Sequence, residues 1–152
     1  MFFHISLFFH FTALFITGGG ALGSLIVERQ LWKKIETAPA EAKSLISVFA
    51  AAEKFIKVGV ILFLISGIMI LWSLKFIYLH EPWFIIKFLL FIMLPIRGAK
   101  IASPTINQIG IQIGMDIANK PALALLKKKM LRFHIIQYAI VVVIVMLVIF
   151  KP

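Results

Sequence analysis

Polar side chains inside apolar runs are the residues of this sequence best suited to binding or catalysis, and His10 is the first of them. Several residues follow it along about one helical face, and only one of them is bulky: Ala13, Leu14, Thr17, Ala21 and Ser24. An imidazole can ligate iron, and little bulk beside it leaves room for a flat group. The pattern predicts that His10 binds the iron of a porphyrin, with Thr17 beside the cofactor. The alternative is a neutral His10 that hydrogen-bonds a neighbouring helix.

Lys87 is the second such residue, because it lies in the apolar run 83–90. Its long side chain can snorkel to the membrane surface. If both helices begin on the same side of the membrane, His10 lies about 5–8 Å deeper than Lys87, which one porphyrin can span. Lys87 is therefore predicted as the opposite axial ligand if its amine is neutral, or as the partner of a propionate if it is charged.

His134 opens the last apolar run, with Gln137 and Tyr138 three and four residues later. This polar face makes His134 a candidate metal ligand of a second site, with Tyr138 beside the cofactor. His134 and His10 enter the membrane from opposite sides, about 15 Å apart along its normal, which argues against both ligating one iron. A position at the membrane interface is the alternative role for His134.

The remaining metal candidates are His4, His80 and Glu81, which could form a surface copper site with the methionines. The chain has no cysteine, which excludes thiolate metal sites, cysteine-held iron–sulfur clusters and disulfides. It also lacks HExxH, Rossmann and Walker patterns, and a Ser/His/Asp grouping.

The composition indicates a membrane protein. Of 152 residues, 62% are hydrophobic and 14% charged, against about 45–50% and 25% in soluble domains. The net charge of +10 lies mainly between the apolar runs, so we predict a lipid bilayer as partner and no nucleic acid. The start of the chain lacks the basic region of a signal peptide and is expected to be a retained helix.

Four runs could span a hydrocarbon core as helices, at about 2–27, 55–79, 83–103 and 131–150. The third is the weakest, since Pro95, Arg97 and Lys100 fall in its last part. Six of the 16 basic residues lie in 28–57 and seven in 97–132, which puts both loops in the cytoplasm and both termini outside. We predict one all-α domain, residues 1–152, forming an antiparallel four-helix bundle.

Both cytoplasmic loops have helical signals. Pro39 suits the first turn of a helix that could run into the second span. Isoleucines recur at helical spacing in 104–130, which predicts a short amphipathic helix in the second cytoplasmic loop: Ile106, Ile109, Ile113 and Ile117.

Three segments resemble the HemJ-type protoporphyrinogen IX oxidases and the related CopD-like four-helix membrane proteins. They are the first helix with His10 and the glycines at 18–20, the third-helix Trp83…Lys87 pattern, and the last helix from Arg132-Phe133 to Lys151-Pro152. The second helix, with Ser66-Gly67…Leu71-Trp72, resembles the family more loosely. Departures occur at 22–24, Phe88 and His134, where the family usually has Leu-Pro-Arg, Leu and Asn. The resemblance implies a heme b protein in the plasma (inner) membrane of a bacterium, with His10 and Lys87 as the essential residues.

The expected function is therefore a membrane heme b oxidoreductase that oxidises a porphyrinogen or a quinol-like molecule and passes electrons through its heme. The alternative is a non-catalytic membrane module, either copper-handling or an accessory subunit of a membrane complex. Whether the chain forms a homo-oligomer stays open.

Overall fold

The computed structural model describes residues 1–114 and 120–150, and they are helical almost throughout, without a strand. Ile117, Lys151 and Pro152 lie outside the described residues. The chain divides into two compact units, Met1–Tyr78 and Leu79–Pro152. The all-α prediction is confirmed for the described residues.

The first unit is an antiparallel hairpin of two long helices, α1 (Phe2–Lys34) and α2 (Pro39–Ser73). Pro39 lies in the first turn of α2, where its missing N–H costs no helical hydrogen bond. Lys34 Nζ and Glu41 Oε2 pair at 2.9 Å across the turn. The loop helix beginning at Pro39 thus does continue into the second apolar run, as its sequence suggested.

The second apolar run ends earlier than its hydropathy predicts, at Ser73 rather than 79. Lys75 and Phe76 have φ values of 50° and 58°, in the left-handed region. Left-handed residues cannot continue a right-handed α-helix, so α2 stops and a 3₁₀-helix, Ile77–His80, follows.

The second unit contains α3 (Pro82–Arg97), a π-helix (Gly98–Ala102), α4 (Ser103–Ile113) and α5 (Lys120–Phe150). The expected third span, 83–103, is therefore not one uniform α-helix. The Ser103 N–H donates to the Gly98 carbonyl, five residues back, so this hydrogen-bonded turn is one residue longer than that of an α-helix. The short helix of the second loop is present as α4, with Ile106 and Ile109 buried.

Three of the described helices are long and apolar enough to cross a membrane: α1 with 33 residues, α2 with 35 and α5 with 31. Their outer surfaces expose large apolar side chains such as Phe15 (83%) and Trp72 (69%). Exposing such surfaces costs free energy in water but not in lipid. At 16 residues, α3 is about 24 Å long, shorter than a 30 Å hydrocarbon core.

Candidate functional site

His10 lies on α1 in the first unit and faces α2. Its Nδ1 is 3.0 Å from Ser66 Oγ, and its ring lies 3.9 Å from the Phe63 ring, tilted by 34°. Gly67 presents its backbone to the ring edge, since a Cβ there would be 3.5 Å from His10 Cε1. The imidazole is half-buried, and its three contacts come from about one turn of α2, at Phe63, Ser66 and Gly67.

The Ser66 hydroxyl is placed to orient this imidazole. Ser66 Oγ lies within hydrogen-bond distance of two backbone carbonyls of its own helix, at 2.7 Å to Leu62 and 3.1 Å to Phe63. When the hydroxyl donates to them, its oxygen accepts from His10, and the imidazole proton is then on Nδ1. In a neutral imidazole this arrangement puts the lone pair on Nε2, the form that coordinates metals.

The small-residue face beside His10 packs directly against α2. Ala13 is fully buried, and Thr17 lies so near Gly59 that a Cβ built there would be 3.0 Å from the Thr17 backbone nitrogen. Thr17 Oγ1 donates to the Ala13 carbonyl at 2.8 Å. The space that these small residues leave is thus occupied by helix α2, while Leu14, half exposed, lies off this contact.

Lys87 lies on α3 in the second unit, and its ammonium points back toward the start of that helix. Its Nζ lies 5.4 Å from the centre of the Trp83 ring and 4.6 Å from that of Phe84. Cation–π contacts of this kind require a charged amine. A charged Lys87, in the snorkelling or the propionate-pairing role, would make both contacts. The role of axial ligand stays a prediction.

His134 and Tyr138 lie on one face of α5, as their spacing predicts, with ring centres 6.4 Å apart and nearly parallel. Gln137 turns to α3 instead, and its Nε2 donates to the Leu94 carbonyl at 3.4 Å. Its Oε1 is buried without a hydrogen-bond partner among the described residues. The predicted polar face is therefore split between a ring stack and a helix–helix contact.

The proposed copper residues are divided between the units, with His4 in the first and His80 and Glu81 in the second. His4, His80 and Glu81 are each exposed. Within residues 1–114 and 120–150, no group of three or more His, Cys, Asp or Glu side chains that could hold a metal ion is found. A heme iron needs less from the protein, because its porphyrin supplies four ligands and one or two axial residues complete it.

Three residues that the structure makes important were not predicted as site residues from the sequence. Ser66 is the one hydroxyl residue in the apolar run 58–72, a signal that could have identified it as the partner of His10. Gly59 lies close to the backbone of α1 at Thr17. Glu28 is 6% exposed near the end of α1, and its Oε1 accepts from Trp32 Nε1 at 3.1 Å. A buried carboxylate on a membrane helix is a candidate functional group.

Comparisons of the chain with protein-family models, with curated proteins and with solved structures find no match. The resemblance to the HemJ-type oxidases and CopD-like proteins therefore rests on sequence segments alone.

Proposed function

We propose that this chain is a membrane heme b protein in which His10 Nε2 coordinates the iron. The supporting observation is the 3.0 Å hydrogen bond between His10 Nδ1 and Ser66 Oγ. Metal-bound histidines regularly donate their second ring N–H to a neighbouring acceptor, which orients the ring and makes it a better ligand. An imidazole with its proton on Nδ1, on a helix hairpin that faces lipid, is suited to ligate iron through Nε2.

The bound heme would supply one-electron chemistry, with its potential adjusted by the axial ligand and by burial. We propose an oxidoreductase that takes electrons from a porphyrinogen or a quinol-like molecule. His10 would hold the iron and Lys87, as an ammonium, would attract a carboxylate of the cofactor or substrate. Exposed apolar side chains along α1 and α2 suit an apolar substrate that arrives through the bilayer.

For topology, we propose four passes through the inner membrane of a bacterium, with both termini outside and the basic loops in the cytoplasm. The support is the distribution of Lys and Arg between the apolar runs. The third pass would combine α3 with the π-helix, together 82–102, or about 31 Å at 1.5 Å per residue.

A second candidate is a non-catalytic accessory module without a cofactor. The observation that favours it is the filling of the small-residue face by α2, which uses His10 and Thr17 for helix packing. Here the His10–Ser66 bond would be a helix–helix interaction worth about 0.6 kcal/mol.

The visible spectrum of the purified protein separates the two candidates. The heme proposal expects a Soret band in the wild type, its loss in His10→Ala, and its retention in His4→Ala, which removes an exposed histidine from the same helix. A colourless wild type after expression with added heme precursor would refute the heme proposal and leave the accessory module. Bound copper in that colourless protein would instead support copper handling.

A further inference from the structure

Four cations surround one cleft in the second unit, of about 390 Å³. Arg97 comes from the end of α3, and the others lie on one face of α5: Lys128, Lys129 and Arg132. Arg132 follows Lys129 by three residues and Lys128 by four, which places it beside both on the helix surface. The helices of this unit are antiparallel here, since Arg97 lies over the Phe133 ring at 5.8 Å and Gln137 contacts Leu94.

Within the second unit, the described residues provide no counter-ion for this cluster. The sequence from 79 to 152 has nine basic residues and two acidic ones, Glu81 and Asp116. Glu81 precedes α3, at the opposite end of that helix from Arg97, and Asp116 lies outside the described residues. The ion pair between Lys34 and Glu41 belongs to the other unit.

The Arg97 guanidinium also has an unused donor. Its Nε is buried and has no hydrogen-bond partner in the described part of the chain. A guanidinium Nε–H together with a terminal N–H forms the fork that matches two oxygens of a phosphate. A buried donor left unpaired is costly, so an acceptor is expected at this position.

The cleft wall is apolar, in contrast to its charged rim. Ile101, Leu125, Phe133 and Ile136 complete the lining. The cluster also lies where the charged first part of α5 gives way to its apolar run from 133 onward. A ligand here meets cations and hydrocarbon together, which is the chemistry of a phosphate group attached to an acyl chain.

We propose that this cleft binds the headgroup of an anionic phospholipid, with the phosphate on Arg97 and Arg132 and the upper acyl chain against Phe133. Lys128 and Lys129 add positive charge at the rim. A soluble phosphate is the other source of the same anion, but it would leave the apolar wall unused. The proposal is independent of the role of His10.

Native mass spectrometry of the full-length protein in detergent tests this site, with dioleoyl phosphatidylglycerol as the probe. Near a membrane each basic residue changes anionic-lipid affinity about 5-fold, so Arg97→Gln with Arg132→Gln should weaken binding by roughly 25-fold. The matched control, Lys120→Gln with Lys127→Gln, removes the same charge outside the cleft and should bind like the wild type.

The single variant Arg132→Gln covers the case in which loss of Arg97 disturbs folding, because Arg132 is exposed. It should weaken phosphatidylglycerol binding by about 5-fold. Equal losses in the cleft and control variants would overturn the proposal, as would equal binding of phosphatidylcholine. Displacement of the lipid by millimolar inorganic phosphate would also overturn it and identify the anion as a soluble one.

Discussion

Substituting Gly59 by alanine should open the α1–α2 hairpin. A Cβ at this position would lie 3.0 Å from the Thr17 backbone nitrogen and 3.1 Å from Ile16 Cγ2, and nearer still to Thr17 Oγ1. Comfortable carbon contacts are about 3.5–4.0 Å, so α1 would have to move away by about 0.5–1 Å. Backbone cannot rotate aside as a side chain can, so the whole helix must yield.

The magnitude follows from two opposing effects. When α1 moves away by this distance, each contact along the interface loses about a quarter to a half of its dispersion energy. Overpacking of this kind costs about 1–3 kcal/mol. Alanine is the better helix former by about 0.8–1 kcal/mol. Gly18→Ala isolates that second effect, because a Cβ at Gly18 meets nothing within 4 Å. We expect Gly59→Ala to be about 2 kcal/mol less stable than Gly18→Ala.

Steric trapping in detergent micelles measures this difference. The chain has no cysteine, so single cysteines introduced at the start of α1 and the end of α2 can carry the two biotin labels specifically. The double variant Gly59→Ala with Thr17→Ala removes the nearest side-chain atom and should recover part of the loss. Equal free energies of hairpin opening for Gly59→Ala and Gly18→Ala would refute the close approach of the two helices.

Three further outcomes are expected. Ser66→Ala removes the hydrogen-bond partner of His10 Nδ1 and should weaken heme binding about 10–100-fold in a spectroscopic titration. The control Ser47→Ala, at an exposed serine, should leave the heme affinity unchanged. Equal heme affinities of the two variants would contradict the orienting role of Ser66. Lys87→Gln should cost about 0.5–1 kcal/mol of unfolding free energy through its lost cation–π contacts, and Lys87→Arg little; equal losses would show that the charge is irrelevant. Gln137→Met should stabilise the protein by about 1 kcal/mol in chemical unfolding, because it removes a buried oxygen without a partner, and a destabilised variant would contradict this.

Helix positions were the part of the fold most accessible to sequence reasoning, and their ends the least. The apolar runs at 2–27 and 131–150 both became helices, and each helix is longer than its run, as α1 and α5 show. Hydropathy indicates the part of a helix that lies in lipid, but it does not locate the polar turns that extend the helix beyond the membrane. The end of α2 depends on the left-handed backbone of Lys75 and Phe76. Neither residue type indicates a left-handed conformation in a sequence.

The glycines illustrate what pattern alone cannot decide. The glycines of α1 have the small-xxx-small spacing that is typical of close helix packing, but a Cβ at Gly18, Gly19 or Gly23 would meet nothing within 4 Å. Gly20 does contact α2, where a Cβ would lie 2.8 Å from the Ile56 side chain. Among the glycines of α1 and α2, a Cβ at Gly59 would meet the facing backbone most closely, and this depends on the register between the two helices.

By itself the sequence determined that this is an all-helical chain with long lipid-compatible helices, because helix formation and hydrophobicity are properties of neighbouring residues. It also identified His10 as the polar group to explain. Only the tertiary structure decided that Ser66 is the hydrogen-bond partner of His10, that α2 fills the small-residue face, and that Arg97 joins the α5 cations around one cleft. Those contacts depend on how one helix is aligned against another, which no local pattern encodes.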